Sequence, residues 1–456
     1  MNKILLKNGE VVSSEGTLKI DVLIEDGKIV GFPTATAGQA EEGEEVEDAE
    51  VVDCMDKLIL PGVVDPHVHF RDPGATYKED FESGSRAAVS GGVTTVLDMP
   101  NNEPPTTSRK ALDDKRALVS GRSYVNYGFY IGYDGGNLEE VNEASNIPGV
   151  KVFVANSTGD MGVGRRQGPA RDGIFDGVGT KNLEELFEKS NKLIVVHAED
   201  EGIIEENKKK FDGELTAAIH SQIRSPEAAA VAVKYVCELA RKYKRPVHIA
   251  HVSTEAEVDI IEEYKDDGVT CEVTPHHLHL TEDDYEHWKN FIKVNPPVRS
   301  RMEVFALWKA LKMGVIDIID TDHAPHSLEE KEAGYLDAPA GIPGVEMLLP
   351  IFLNTVSSEG LTISELVKLV CERPAEIFGI PNKGRIVEGY DADLVIVDME
   401  LEKKVERGNL LSKAGWSPYE GLMLKGWPIM TIVNGEIVYK DGKIEGKPIG
   451  KEVVFF

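Results

Sequence analysis

Five side chains able to ligate a metal recur at intervals that a single strand-end face would collect. The first two lie in Asp65-Pro66-His67-Val68-His69. Residues two apart on a strand project to the same side, so both imidazoles can reach one ion. His197, His251 and Asp322 each close a later apolar run. A lone histidine at a strand end is more often a hydrogen-bonded core or rim residue. Five candidates converging on one mouth point instead to a metal site. Imidazole and carboxylate without thiolate suit zinc, and also iron, manganese or cobalt. The set is larger than one catalytic zinc uses, so two divalent ions are expected. Two cations ~3.5–4 Å apart need an anionic bridge. Lys151, which opens Lys151-Val152-Phe153-Val154-Ala155-Asn156-Ser157-Thr158-Gly159, can supply it once carbon dioxide has turned its amine into a carbamate. Taken alone, such a lysine is more often a surface or salt-bridged residue.

The elements that must position these groups are eight apolar, β-branched runs: Val63–Phe70, Val93–Pro100, Val125–Gly132, Gly149–Asn156, Lys192–Glu199, Arg245–Ser253, Gly268–Leu278 and Asp317–Pro325. Continuous apolar runs, rather than alternation, indicate strands buried on both faces, as in parallel sheets. Helical patterns such as Glu227–Tyr243 separate most of them. Eight strand–helix units in this length predict a (β/α)8 TIM barrel over residues 59–380, with the site at its C-terminal strand ends. Residues 1–58 and 381–456 carry shorter strands, among them Gly384–Val387, and hairpin turns at Asp26-Gly27 and Asn434-Gly435. Each end is small for a domain, so the two are expected to pair into one β-domain.

Composition narrows the class. The 456 residues carry 50 Lys and Arg against 79 Asp and Glu, a net charge of −29. Nucleic acid and anionic membrane surfaces would repel such a chain. A small anionic substrate remains open, because net charge does not set the sign at a site. No stretch reaches the ~18–20 apolar residues of a membrane span. The start, MNKILLKNGEVV, lacks a signal-peptide cleavage pattern. Cys54, Cys237, Cys271 and Cys371 are far apart, which suits a reducing cytoplasm. The acidic run at 41–50 reads as a solvated loop.

Pro61-Gly62-Val63-Val64-Asp65-Pro66-His67-Val68-His69-Phe70-Arg71-Asp72-Pro73-Gly74 resembles the opening signature of the cyclic amidohydrolases, the group of dihydroorotases, allantoinases and hydantoinases. The likeness continues in order through Asp98-Met99-Pro100-Asn101, His197-Ala198-Glu199, His251-Val252-Ser253, Thr321-Asp322-His323-Ala324-Pro325-His326 and the stretch Gly384–Leu394. It implies that His67, His69 and Asp322 hold one metal, that His197 and His251 hold the second, and that a carboxylated Lys151 bridges them. Some members carry an aspartate near Lys151 instead.

Within the group, Arg71 in the HxHxR pattern, Asn101, Asn295 in Asn295-Pro296-Pro297-Val298-Arg299 and His326 resemble the carboxylate-reading set of dihydroorotases. Val298 departs from the more usual leucine. The resemblance also singles out Thr158 as a loop contact. It implies reversible hydrolysis of dihydroorotate to N-carbamoyl-aspartate, a step of pyrimidine synthesis, with Asp322 as acid and base. Allantoinase, hydantoinase or dihydropyrimidinase activity is the alternative. An inactive scaffold is a further one, against which the full ligand set counts. A homodimer or homotetramer is expected. The sequence is silent on association with an aspartate transcarbamoylase.

Overall fold

The structure, a computed structural model, describes residues 3–33, 48–155, 180–211, 215–358 and 360–455. Two parallel sheets carry the apolar runs. In the first, Val63–Val68, Val93–Asp98 and Asn126–Phe129 lie side by side. In the second, Ile131–Gly132, Val150–Phe153, Ile194–His197, Val247–Ile249, Val269–Val273 and Ile318–Ile319 pair in chain order. Every residue of Val63–Val68, Val93–Asp98, Ile194–His197 and Val247–Ile249 is buried. That burial is why these strands read as unbroken apolar runs. Capped helices return the chain between strands. Asp80 caps Phe81–Ser90, Ser108 caps Arg109–Val119, and Thr254 caps Glu255–Glu263, each accepting from a first-turn N–H.

The ends of the first and last of these strands are tied together. Asp65 accepts from the Thr321 hydroxyl at 2.5 Å and from its N–H at 3.2 Å. His69 N donates to His323 O, and His323 N to His67 O. Two apolar runs stop early. The last is a strand only over Ile318–Ile319. The seventh ends at Val273, where Thr274 caps the short helix Pro275–His279. Strand pairing gives way there to the turns that face the site.

Both chain ends contribute to one antiparallel-rich sheet of seven strands. Leu58–Pro61 sits between Leu394–Lys404 and Glu10–Ser13. A four-stranded sheet from the N-terminal segment packs against it through Ile4, Leu6, Val22 and Ile24, which meet Leu394, Ile396 and Ile432. Asp26-Gly27 and Asn434-Gly435 turn with positive φ at both residues, as two-residue hairpins require. Gly384–Val387 is not a strand but part of the turn that leads into Leu394–Lys404. Leu58–Pro61 runs almost directly into Val63, so the outer sheet anchors the strand that delivers His67 and His69. No helix among the described residues is long and apolar enough to cross a membrane. The four cysteines are buried and free.

Candidate metal centre and substrate cleft

The strand ends bring the expected donors together. His69 Nε2 lies 3.1 Å from Asp322 Oδ1, and His67 Nε2 lies 3.4 Å from the same oxygen. The ligand atoms of this triplet fall within 4.8 Å of one another. His197 Nδ1 and His251 Nε2 face each other at 2.9 Å. Lys151 Nζ sits 3.5 Å from His67 Nε2, on a side chain with no exposed surface. Two of these positions are conformationally unusual: His251 has φ 37° and Asp322 φ 44°, in the left-handed region. Strain at non-glycine residues concentrates where a side chain must be aimed.

The electrostatics favour cation binding. Burial pushes the His69 imidazole down to about 4 and lowers His197 and His251 as well, so neutral rings present their lone pairs. Burial opposes ionisation of Asp322, but His67, His69 and His251 outweigh it and hold the carboxyl well below its usual range. Burial lowers the Lys151 ammonium, against the pull of Glu272, Asp322 and Asp320. A lysine that loses its proton more readily is the form able to add carbon dioxide. Buried neutral imidazoles converging with one carboxylate fit divalent metal ions.

The sequence reading missed most of the groups that aim these rings, and it named Asn101 only as a substrate contact. His67 Nδ1 is 2.5 Å from Glu272 Oε1, and His248 Nε2 is 2.9 Å from the other oxygen of that carboxylate. Burial and the neighbouring Glu272 charge push the Asp320 carboxyl well above its usual range, while Glu272 is held below it. His197 Nε2 meets Glu199 Oε2 at 2.8 Å, and Arg224 pairs with the same carboxylate. His69 Nδ1 meets Asn101 Oδ1 at 2.6 Å. In each case an oxygen takes the distal N–H and leaves the inner nitrogen for an ion. Asp98 accepts from Phe70 N and pairs with buried Lys115 at 2.5 Å, which fixes the chain beyond His69. Only strand-end alternation could have flagged Glu272, which faces the same interior as the ligands.

A cleft opens beside the donors. Arg71, Asn101, Asn295, Phe153, Ala324, Ala340 and Gly341 line it together with His67, His69, His197, His251 and Asp322. Arg71 is buried and anchored by Nε–H to Pro325 O. Asn295 is held by His220, whose Nε2 lies 2.9 Å from its Oδ1. His277 Nε2 binds Pro296 O, which fixes the same turn. Gly341, at φ 136°, has no room for a side chain: a Cβ would lie 2.6 Å from Ala324 O. His326 is fully buried behind Arg71 and does not line the cleft. His323 points away from the donors, accepting from Gly344 N and Val345 N. Thr158 and the segment Asn156–Gly159 lie outside the described residues, as does most of the acidic run.

The profile of the amidohydrolase family matches residues 58–438. The chain belongs to the amidohydrolase family. It is 38% identical over 446 residues to the dihydroorotase of Pyrococcus horikoshii, which covers 98% of this chain and 94% of that protein. It is 35% identical over 436 residues to the dihydroorotase of Methanothermobacter thermautotrophicus, covering 94% and 92%. Among solved structures, this amidohydrolase resembles the L-hydantoinase of Arthrobacter aurescens with a TM-score of 0.89 at 32% identity, over 100% of both chains. It resembles the dihydropyrimidinase of Brevibacillus agri with a TM-score of 0.86 at 25% identity, over 100% and 99%.

Proposed function

We propose that this amidohydrolase is a dihydroorotase, opening the cyclic amide of dihydroorotate to N-carbamoyl-aspartate and closing it in reverse. The observation that carries the reading is Arg71: a buried guanidinium in the wall of the cleft, two residues past His69. Dihydroorotate carries a carboxylate, whereas hydantoin, allantoin and dihydrouracil do not. A planar cationic fork is the side chain that reads a carboxylate. The curated relatives point the same way. The overall likeness to hydantoinase structures reflects the shared scaffold, and function is argued from the site.

His67, His69 and Asp322 would hold one divalent ion and His197 and His251 the other, with Lys151 as its carbamate between them; zinc suits the donors. Such a pair lowers the pKa of a bound water and polarises a carbonyl. Asp322 accepts the proton of the attacking water and returns it to the leaving ring nitrogen. Arg71 and Asn295 orient the substrate carboxylate, and Asn101 supports the same end while holding His69. Phe153 closes one wall against water. His326 acts on the carboxylate end from behind Arg71. Thr158 belongs to this proposal as a loop contact.

The same reading makes the parallel strands one closed (β/α)8 barrel over residues 59–380, with 1–58 and 381–456 as its β-domain, in a cytoplasmic enzyme.

The test is a substrate panel of dihydroorotate, allantoin, hydantoin and dihydrouracil on the metal-loaded protein. Preferred turnover of dihydroorotate supports the reading. A kcat/KM for an uncharged ring equal to or above that for dihydroorotate replaces it with the hydantoinase or allantoinase reading.

A further inference from the structure

Behind Arg71 lies a group that neither the reaction nor the metal ligands require. Lys78 Nζ is 3.0 Å from His326 Nδ1 and 2.8 Å from Glu330 Oε1, on a side chain only 13% exposed. The other ring nitrogen, Nε2, lies 3.0 Å from Ala340 O and 3.1 Å from Arg71 Nη2. These contacts cannot all be hydrogen bonds of one neutral ring. An ammonium offers donors only, so Nδ1 must accept from it. The single ring proton then sits on Nε2 and donates to Ala340 O. A protonated Nε2 has no lone pair for Arg71, so Nη2 cannot be absorbed by the histidine. Burial, with Arg71, Lys78 and Lys331 nearby, lowers the imidazole well below its ordinary range, which keeps the ring neutral with one proton.

The opposite tautomer would do the reverse. A proton on Nδ1 would leave Nε2 to accept from Arg71, drawing the fork into the wall and freeing Ala340 O. We infer that Lys78 is a positioning residue for carboxylate recognition: by donating to His326 Nδ1 it fixes the tautomer that leaves the Arg71 fork facing the cleft. The inference rests on the dihydroorotase reading and names the device behind it. It also accounts for a fully buried His326 beside a cleft that it does not line. The loop it braces is held independently. Lys331 Nζ donates to Gly341 O and Pro339 O, and Lys293 Nζ to Ala338 O. The backbone at Ala340 therefore stays in place when Lys78 is changed. Glu330 also accepts from Tyr77 and from Ser327 N and Oγ, so removing Lys78 alone would leave its carboxylate in place without its paired cation. The double variant K78M/E330Q avoids that.

The experiment uses the full, metal-loaded chain. Nitrogen-15 histidine spectra report the His326 tautomer, calorimetry with orotate reports carboxylate binding, and steady-state kinetics separate KM from kcat. The expected result for native protein is a proton on Nε2. For K78M/E330Q it is a shift toward the Nδ1–H form, orotate affinity weaker by about 10-fold and a parallel rise in KM, with kcat within about 3-fold. K78R keeps a donor and should retain native values. Native tautomer and native orotate affinity in K78M/E330Q overturn the inference. So does a changed tautomer with unchanged affinity, which makes Lys78 structural. A native protein that neither binds orotate nor turns over dihydroorotate removes the dihydroorotase reading instead, and the tautomer comparison still decides whether Lys78 sets His326.

Discussion

The two ends of the cleft are opposite in sign and in construction. At the metal end, Asp65, Glu199, Glu272, Asp320 and Asp322 surround the histidines, all but Asp322 fully buried. At the other end, Arg71, Lys78, Lys293 and Lys331 gather, with Glu330 as a carboxylate in contact. The metal end is built on strand ends and tied strand to strand by Asp65 and Thr321. The cationic end is built on turns at 71–78 and 293–297 and on the stretch 324–341, which includes the short helix Leu328–Glu332. A molecule with a net charge of −29 thus holds a local cluster of cationic side chains, the kind of surrounding that suits an anionic group. Net charge governs encounter with macromolecules, whereas a few buried side chains govern recognition. The contrast also assigns failure modes. Changes at the first end should cost metal, and changes at the second should cost selectivity while metal stays.

The largest effects belong to the metal end. Protein purified without chelator should contain near two equivalents of divalent metal. Asp322→Asn should lower kcat/KM by about 10⁴-fold or more, since it removes both a ligand and the proton carrier. Lys151→Ala should lose metal and activity together, and acetate should restore part of both. Intact mass under native conditions should show one carbon dioxide added to the wild-type chain and absent from the variant. A fully active enzyme with one equivalent, or an unmodified amine beside a filled pair, sinks the bridged binuclear account.

Arg71→Lys tests the other end. It keeps the charge but loses the fork, so kcat/KM for dihydroorotate should fall by at least ~100-fold, in line with about 2–5 kcal/mol for truncating a buried charged contact. Metal content should not change. Equal losses on charged and uncharged rings would make Arg71 structural and erase the contrast between the two ends.

Glu272→Gln probes the support behind the metal. The amide keeps the shape but weakens the acceptor for His67 Nδ1 and disturbs the contact with His248. Metal affinity should drop by about 10–100-fold, measured by competition with a chelator. Activity should return at saturating metal. Unchanged affinity would mean that His67 is aimed by packing alone.

What the sequence disclosed divides along the same line. His67, His69, His197, His251 and Asp322 were legible because each stands near the end of an apolar run, and period two decides which way a strand residue points. The strands were legible as runs, but their ends were not. Ile318–Ile319 is far shorter than its apolar run, because hydrophobicity records burial and continues into buried turns. Glu272 was hidden inside such a run, as a charge among Val and Cys, and only pairing partners across strands reveal its target. Lys78 lies in a turn, and Glu330 and Lys331 lie in the five-residue helix Leu328–Glu332, too short for a periodic pattern to carry direction. Arg71, Asn101, Asn295 and His326 came from likeness to relatives, and that likeness could not say that His326 stands behind Arg71 rather than in the cleft wall.

The smallest expected effect sharpens the comparison most, because it asks whether a neutral group at the cationic end also reads the carboxylate. Asn295 lines the cleft, with Oδ1 held by His220 Nε2. His220 is itself fixed by Tyr335 at Nδ1, and burial lowers its pKa to about 3, so the ring is neutral and donates one proton from Nε2. That bond spends the amide oxygen on His220. Asn295→Ser replaces the amide with a hydroxyl that is too short to span both partners. One neutral hydrogen bond contributes about 0.5–1.5 kcal/mol, so kcat/KM for dihydroorotate should fall by about 2- to 10-fold, mostly through KM. Metal content should stay at the wild-type value, since no donor atom moves. Turnover of hydantoin, measured in parallel, should be nearly constant, so that the ratio between the two substrates shifts toward the uncharged ring. A loss on both rings of similar size would place Asn295 with the scaffold of the turn at 293–297, leaving Arg71 as the cleft-lining carboxylate reader of that end.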